Sequence, residues 1–131
     1  MNIQDVFQTA DWKKEKHTPV IECPDAVKAN EPFTVTVSIG KEIPHPNTTE
    51  HFIAWIDVFF VPKGSRFAHH VARFDFRAHG ESTKGPNKGP VYTHPIATFS
   101  MQINQPGTLL ATSHCNIHGL WTSQKAIQLA E

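Results

Sequence analysis

The segment Phe33-Thr34-Val35-Thr36-Val37-Ser38-Ile39 alternates apolar and polar residues without a break. Period-two alternation is the pattern of a strand with one face buried, so Phe33, Val35, Val37 and Ile39 should face a core. The run from Phe52 to Val61 is apolar on both faces except at Asp57. Such a run reads as a central strand or as one covered by a neighbouring subunit, and Pro62-Lys63-Gly64-Ser65 ends it. Further strands are predicted over 17–23, 71–78, 96–103, 108–113 and 121–129, each bounded by Pro, Gly or Asn. No segment has convincing helical spacing. Seven short strands without a helix predict an all-β chain folded as an antiparallel β-sandwich. The stretch 80–90 contains Gly80, Gly85, Pro86, Gly89 and Pro90, which predicts an exposed loop within the fold and not a linker between domains.

Length and charge narrow the function. The 131 residues, 39% of them hydrophobic, suffice for one core, so a single domain spanning 1–131 is expected, with 1–11 as an N-terminal extension. Twelve basic and twelve acidic side chains cancel, leaving no overall field to hold nucleic acid or an anionic membrane surface. The first ten residues lack a basic stretch followed by an apolar one, and no apolar run is long enough to cross a bilayer. A soluble cytoplasmic protein is expected. In that setting Cys23 and Cys115 should be free thiols and not a disulfide.

Nine histidines in 131 residues change this picture. His17 opens a predicted strand, His45 and His51 lie in or just after a Pro-rich loop, and Cys115 with His118 ends a strand ahead of a turn at Gly119. These five can meet where loops cluster at one end of a sandwich. Pro44 and Pro46 bracket His45 and remove backbone freedom, so part of the ordering a ligand loop needs is built into the chain. Several imidazoles with one thiolate suit a redox metal such as iron or copper better than structural zinc, and a bound metal would keep the thiol deprotonated. His69, His70, His79, His94 and His114 are left outside the site, because imidazole is common without metal. Trp12, Trp55 and Trp121 are expected to pack, Trp121 also shielding one side of the site. Two other readings stay open on the residues alone: a blue-copper electron carrier, disfavoured by the absence of a methionine after His118, and a sandwich module with a structural metal.

Four segments sharpen the choice: Glu15-Lys16-His17-Thr18-Pro19-Val20-Ile21, the stretch from Lys41 to His51 that includes Ile43-Pro44-His45-Pro46-Asn47, Ala78-His79-Gly80-Glu81-Ser82, and Cys115-Asn116-Ile117-His118-Gly119-Leu120-Trp121. In residue type, order and spacing they closely resemble superoxide reductase, from about Trp12 to the C-terminus. No cysteine-rich segment precedes Trp12, so the chain is similar to the one-iron form, neelaredoxin, and not to the two-iron desulfoferrodoxin. The resemblance implies an immunoglobulin-like seven-stranded antiparallel β-sandwich and one iron ion per subunit. It implies His17, His45, His51 and His118 as equatorial ligands and Cys115 as the axial one. It further implies that Glu15 binds the ferric ion only, that Lys16 draws in superoxide, and that a rubredoxin-like donor returns the electron. The one-iron family is often tetrameric, and Trp55 and Phe59 are candidates for an interface. Two positions depart locally, Phe52 after His51 and His114 before Cys115. His114 is expected to change hydrogen bonding around the sulfur.

Overall fold

In the computed structural model, which describes residues 1–131, nine strands form two sheets and the one helical segment is a single 3₁₀ turn, Ile3–Val6. The strands are β1 (Phe7–Gln8), β2 (Val20–Glu22), β3 (Ala26–Val27), β4 (Phe33–Ser38), β5 (Ile53–Pro62), β6 (His69–Asp75), β7 (Ile96–Met101), β8 (Gly107–Cys115) and β9 (Gly119–Leu129). One sheet runs β1-β9-β8-β5-β6, with β3 also on β9, and the other runs β2-β4-β7.

All seven predicted strands form. The two additions, β1 and β3, are two residues long and pair parallel with β9, so the sandwich is not purely antiparallel. Both are too short for periodicity to reveal. Through β1, the stretch expected as an N-terminal extension supplies an edge to the larger sheet. The strand predicted over 17–23 is ladder-paired only at 20–22, because Pro19 has no N–H to give and the residues before it turn toward the site.

Alternation decides what is buried. In β4, Phe33, Val35 and Val37 point inward, and in β8 the pattern alternates over all nine residues from Gly107 to Cys115. With Ile53, Ile56, Val58 and Phe60 of β5, Leu109 and Ala111 of β8 and Ile127 of β9, they make one core between the sheets. Strand β5 lies between β8 and β6, with one face on the core and half-buried Trp55 and Phe59 on the other. On its outer face Asp57 is buried between Arg73 (2.6 Å) and His70 (2.8 Å), with Phe59 stacked on His70 and Trp55 on His114. Cys115 is the last inward residue of β8 and has no solvent exposure. The core thus ends on a thiol.

Candidate metal centre

The turn after Cys115, the last residue of β8, carries the chain to His118 just before β9, closing on Gly119 with φ +83. The main-chain N–H of His118 donates to Cys115 Sγ at 3.3 Å, and His118 Nδ1 lies 3.8 Å from the same sulfur. Gln8 Nε2 and Trp121 Nε1 both donate to the His118 carbonyl, at 3.0 and 3.2 Å. The segment 9–17 brings in His17, whose ring stacks on Trp121 at 4.8 Å, and Lys41 Nζ sits over the Trp12 ring at 5.8 Å, tying that segment to the loop before His45.

Each of two rings is oriented by an acceptor on its far nitrogen. His17 Nδ1 is 2.6 Å from Glu15 Oε1, and His45 Nδ1 is 2.6 Å from the Pro46 carbonyl. An acceptor at Nδ1 requires the proton there, so Nε2 presents its lone pair. The Nε2 atoms of His17, His45 and His51 are all buried and have no hydrogen-bond partner. One such atom costs about 1–3 kcal/mol; three converging on one point call for a ligand that accepts lone pairs. The donor atoms of His17, His45, His51 and Cys115 lie within 4.8 Å of one another.

His118 stands outside that tight group of donor atoms, yet its ring completes a cycle. Centroids are 4.7 Å apart for His17–His45, 4.8 Å for His45–His51, 5.0 Å for His51–His118 and 4.8 Å for His118–His17. Four imidazoles therefore close a ring of near-equal neighbour spacings, with the buried Cys115 thiol beside it. With His118 the set would reach five donors, more than the closed tetrahedron of structural zinc or the two histidines of a blue-copper site use. The residues fit a single iron ion bound by nitrogen and thiolate.

Burial favours the neutral form of His17, His45 and His51. It lowers His45 to about 4 against the opposing Pro46 carbonyl. It also lowers His17, against the pull of Glu15, and lowers His51, where neighbouring His118 and His17 add to the effect. Burial alone would raise Glu15, but its bonds from the His17 ring and backbone and the charge of Lys16 hold it below the usual carboxylate value. Neutral imidazoles are the form a metal takes up.

Of the other expected residues, Lys16 is half-buried at the edge of the site. Glu15 lies behind His17 on the Nδ1 side, away from the cluster of donor atoms. His114 does not reach the sulfur: neighbouring residues of a strand point to opposite faces, so its ring stacks on Trp55 at 5.7 Å on the outer face while the His118 N–H serves the sulfur. Both cysteines are free, Cys23 half-buried and Cys115 buried.

Several contributors were not anticipated. The exposed-looking loop 80–90 buttresses the ligand loop: Asn87 accepts from Thr49 N at 2.7 Å and donates to Glu50 at 3.0 and 3.1 Å. His79, set aside on sequence, is 3% exposed, stacks on Phe52 at 3.8 Å and bonds through its ring nitrogens to Phe76 O and Asn47 Oδ1. Its signal was its place in the Ala78–Ser82 motif, which marked it as special without saying for what.

Fold and site define a β-sandwich protein with a mononuclear histidine–cysteine metal centre. The chain belongs to the desulfoferrodoxin family, whose model matches residues 9–124. It is 60% identical over 129 residues to neelaredoxin from Megalodesulfovibrio gigas, covering 98% of this chain and 99% of that protein. The crystal structure of a Thermotoga maritima protein provisionally named superoxide reductase superimposes with a TM-score of 0.97 at 53% identity, covering 100% of this chain and 99% of the other. Superoxide reductase (neelaredoxin) from Archaeoglobus fulgidus in the reduced form gives a TM-score of 0.87 at 55% identity, covering 95% and 99%.

Proposed function

We propose that this chain is an oxidoreductase that reduces superoxide to hydrogen peroxide by one electron at a single iron, bound by His17, His45, His51, His118 and Cys115. The observation that carries the reading is the closed ring of four imidazoles, three with bare buried Nε2 atoms, beside a fully buried thiol. Iron, when bound, supplies the electron and a positive charge that stabilises the reduced product.

The remaining work belongs to side chains. Lys16 places a cation at the edge of the site, raising the local concentration of a small anion although the chain as a whole is neutral. Glu15 has two roles. In the conformation described it accepts the Nδ1–H of His17 and aims that ring. In the ferric protein the same carboxylate would leave His17 and help to hold the ion. Trp121 covers one face of His17 and keeps water from that side, while the exposure of His118 leaves a route for substrate and product.

A rubredoxin-like protein is the proposed electron donor and the cytoplasm the proposed location. No helix is long and apolar enough to cross a membrane. Trp55 and Phe59 remain partly exposed on the outer face of β5, which supports a homotetramer assembled through that face.

Stoichiometry tests the activity. With a steady superoxide source and an excess of reduced donor, reduction yields one peroxide per superoxide and no oxygen. Dismutation yields one peroxide per two superoxides, with oxygen released, and that ratio would reject the proposal.

A further inference from the structure

His51 is held differently from its neighbours. Of the three rings that bury a bare Nε2, His17 and His45 are aimed by acceptors at Nδ1, as metal-ligating histidines generally are. The His51 ring makes no hydrogen bond, and only its backbone is fixed. Its N–H donates to Thr48 Oγ1 at 3.0 Å, and its carbonyl accepts from Thr48 N at 3.0 Å. These contacts close a local turn but do not place that turn relative to the rest of the site.

Asn116 does so. Its Oδ1 accepts the N–H of Phe52 at 2.8 Å and its Nδ2 donates to the Glu50 carbonyl at 2.8 Å. The same residue's main-chain N–H donates to the Phe52 carbonyl at 3.2 Å. The three bonds straddle His51, one residue to either side, and they come from the residue next to Cys115. The β5–β8 ladder breaks register between Ile53 and Trp55 and resumes at the Ile53–Cys115 pair, and the Asn116 bonds carry that pairing on into the ligand loop.

We propose that Asn116 is a positioning residue that locks His51 to Cys115, making the imidazole on one segment and the thiol on another move as one unit. It touches no donor atom and acts through the backbone on both sides of His51. A side chain with one donor and one acceptor is what this geometry requires, since it must meet an N–H and a C=O two residues apart. The inference rests on the proposed iron centre for its consequence and on the hydrogen bonds alone for its geometry.

Asn116→Leu keeps the volume and removes both side-chain bonds; Asn116→Ala serves if the leucine variant does not fold. In metal-free protein, exchange of the Phe52 amide hydrogen followed by NMR should quicken roughly 5-fold, the factor for one net hydrogen bond. In iron-loaded protein the ferric thiolate absorption and the reduction potential should both move, and iron should be lost to a chelator about 10-fold faster. Thr36→Val removes an exposed hydrogen bond to Thr98 within the other sheet and should leave absorption and potential unchanged. Unaltered Phe52 exchange in the Asn116 variants overturns the clamp. So does a spectrum and potential identical to the parent, or an equal shift in Thr36→Val. A parent protein that takes up no iron counts against the metal centre instead, while the exchange measurement still judges the clamp.

Discussion

Acidification of the metal-free protein should cost stability through His45. Burial lowers its pKa from an ordinary 6.5 to about 4, a gap equivalent to roughly 3 kcal/mol. The ring keeps some solvent contact, which brings the expected figure to about 2–3 kcal/mol. Between those two values the unfolded chain holds a proton on residue 45 that the folded chain does not. Stability is therefore fully present above pH 6.5 and falls as pH drops toward 4. His17 and His51 are displaced in the same direction and steepen the decline. Glu15 is lowered from 4.5, so its contribution is lost below that pH and stays outside a window of about 4.5 to 7. Urea titrations of metal-free parent and His45→Gln protein across this window should give a markedly flatter profile for the variant. Iron-loaded parent should be nearly flat, because coordinated nitrogen takes up no proton until the metal leaves. Parallel profiles for parent and His45→Gln would refute the reasoning, whatever their absolute stabilities.

Other perturbations probe separate parts of the site. Gly40 has φ +84, and an added Cβ would come within 2.7 Å of the His45 backbone nitrogen. Gly40→Ala should therefore cost about 2 kcal/mol in urea unfolding and weaken iron retention by displacing His45. Glu15→Ala removes the acceptor from His17 Nδ1 and should lower iron affinity about 10- to 100-fold in chelator competition, with a changed ferric spectrum. Lys16→Ala should slow the encounter with superoxide by up to about 10-fold at low salt and flatten its dependence on ionic strength. An unchanged salt dependence would remove Lys16 from that role.

Much of this was readable from residue order. Period-two alternation in 33–39 and the doubly apolar 52–61 placed two central strands, because burial on one face or both leaves a direct trace in polarity. The candidate donors stood out because histidine and cysteine are chemically distinctive and Pro44 and Pro46 flagged a rigid loop, and four of the five come together in the fold. What holds those donors was not. Asn116, Asn87 and Gln8 act through backbone carbonyls and amides, which every residue carries, and an asparagine in a turn looks the same whether it bonds water or a ligand loop. His114 was misjudged for a related reason. Adjacency in sequence suggested contact with the sulfur, whereas strand alternation sends neighbouring side chains to opposite faces. β1 and β3 are visible only once β9 is there to receive them.

A single-turnover experiment on ferrous protein decides the chemistry. Mixing it with a substoichiometric pulse of superoxide should oxidise one iron and form one hydrogen peroxide for each superoxide consumed, on the same time course as the appearance of the ferric thiolate colour. Ferrous iron that survives the pulse unchanged, or peroxide formed without iron oxidation, would contradict it.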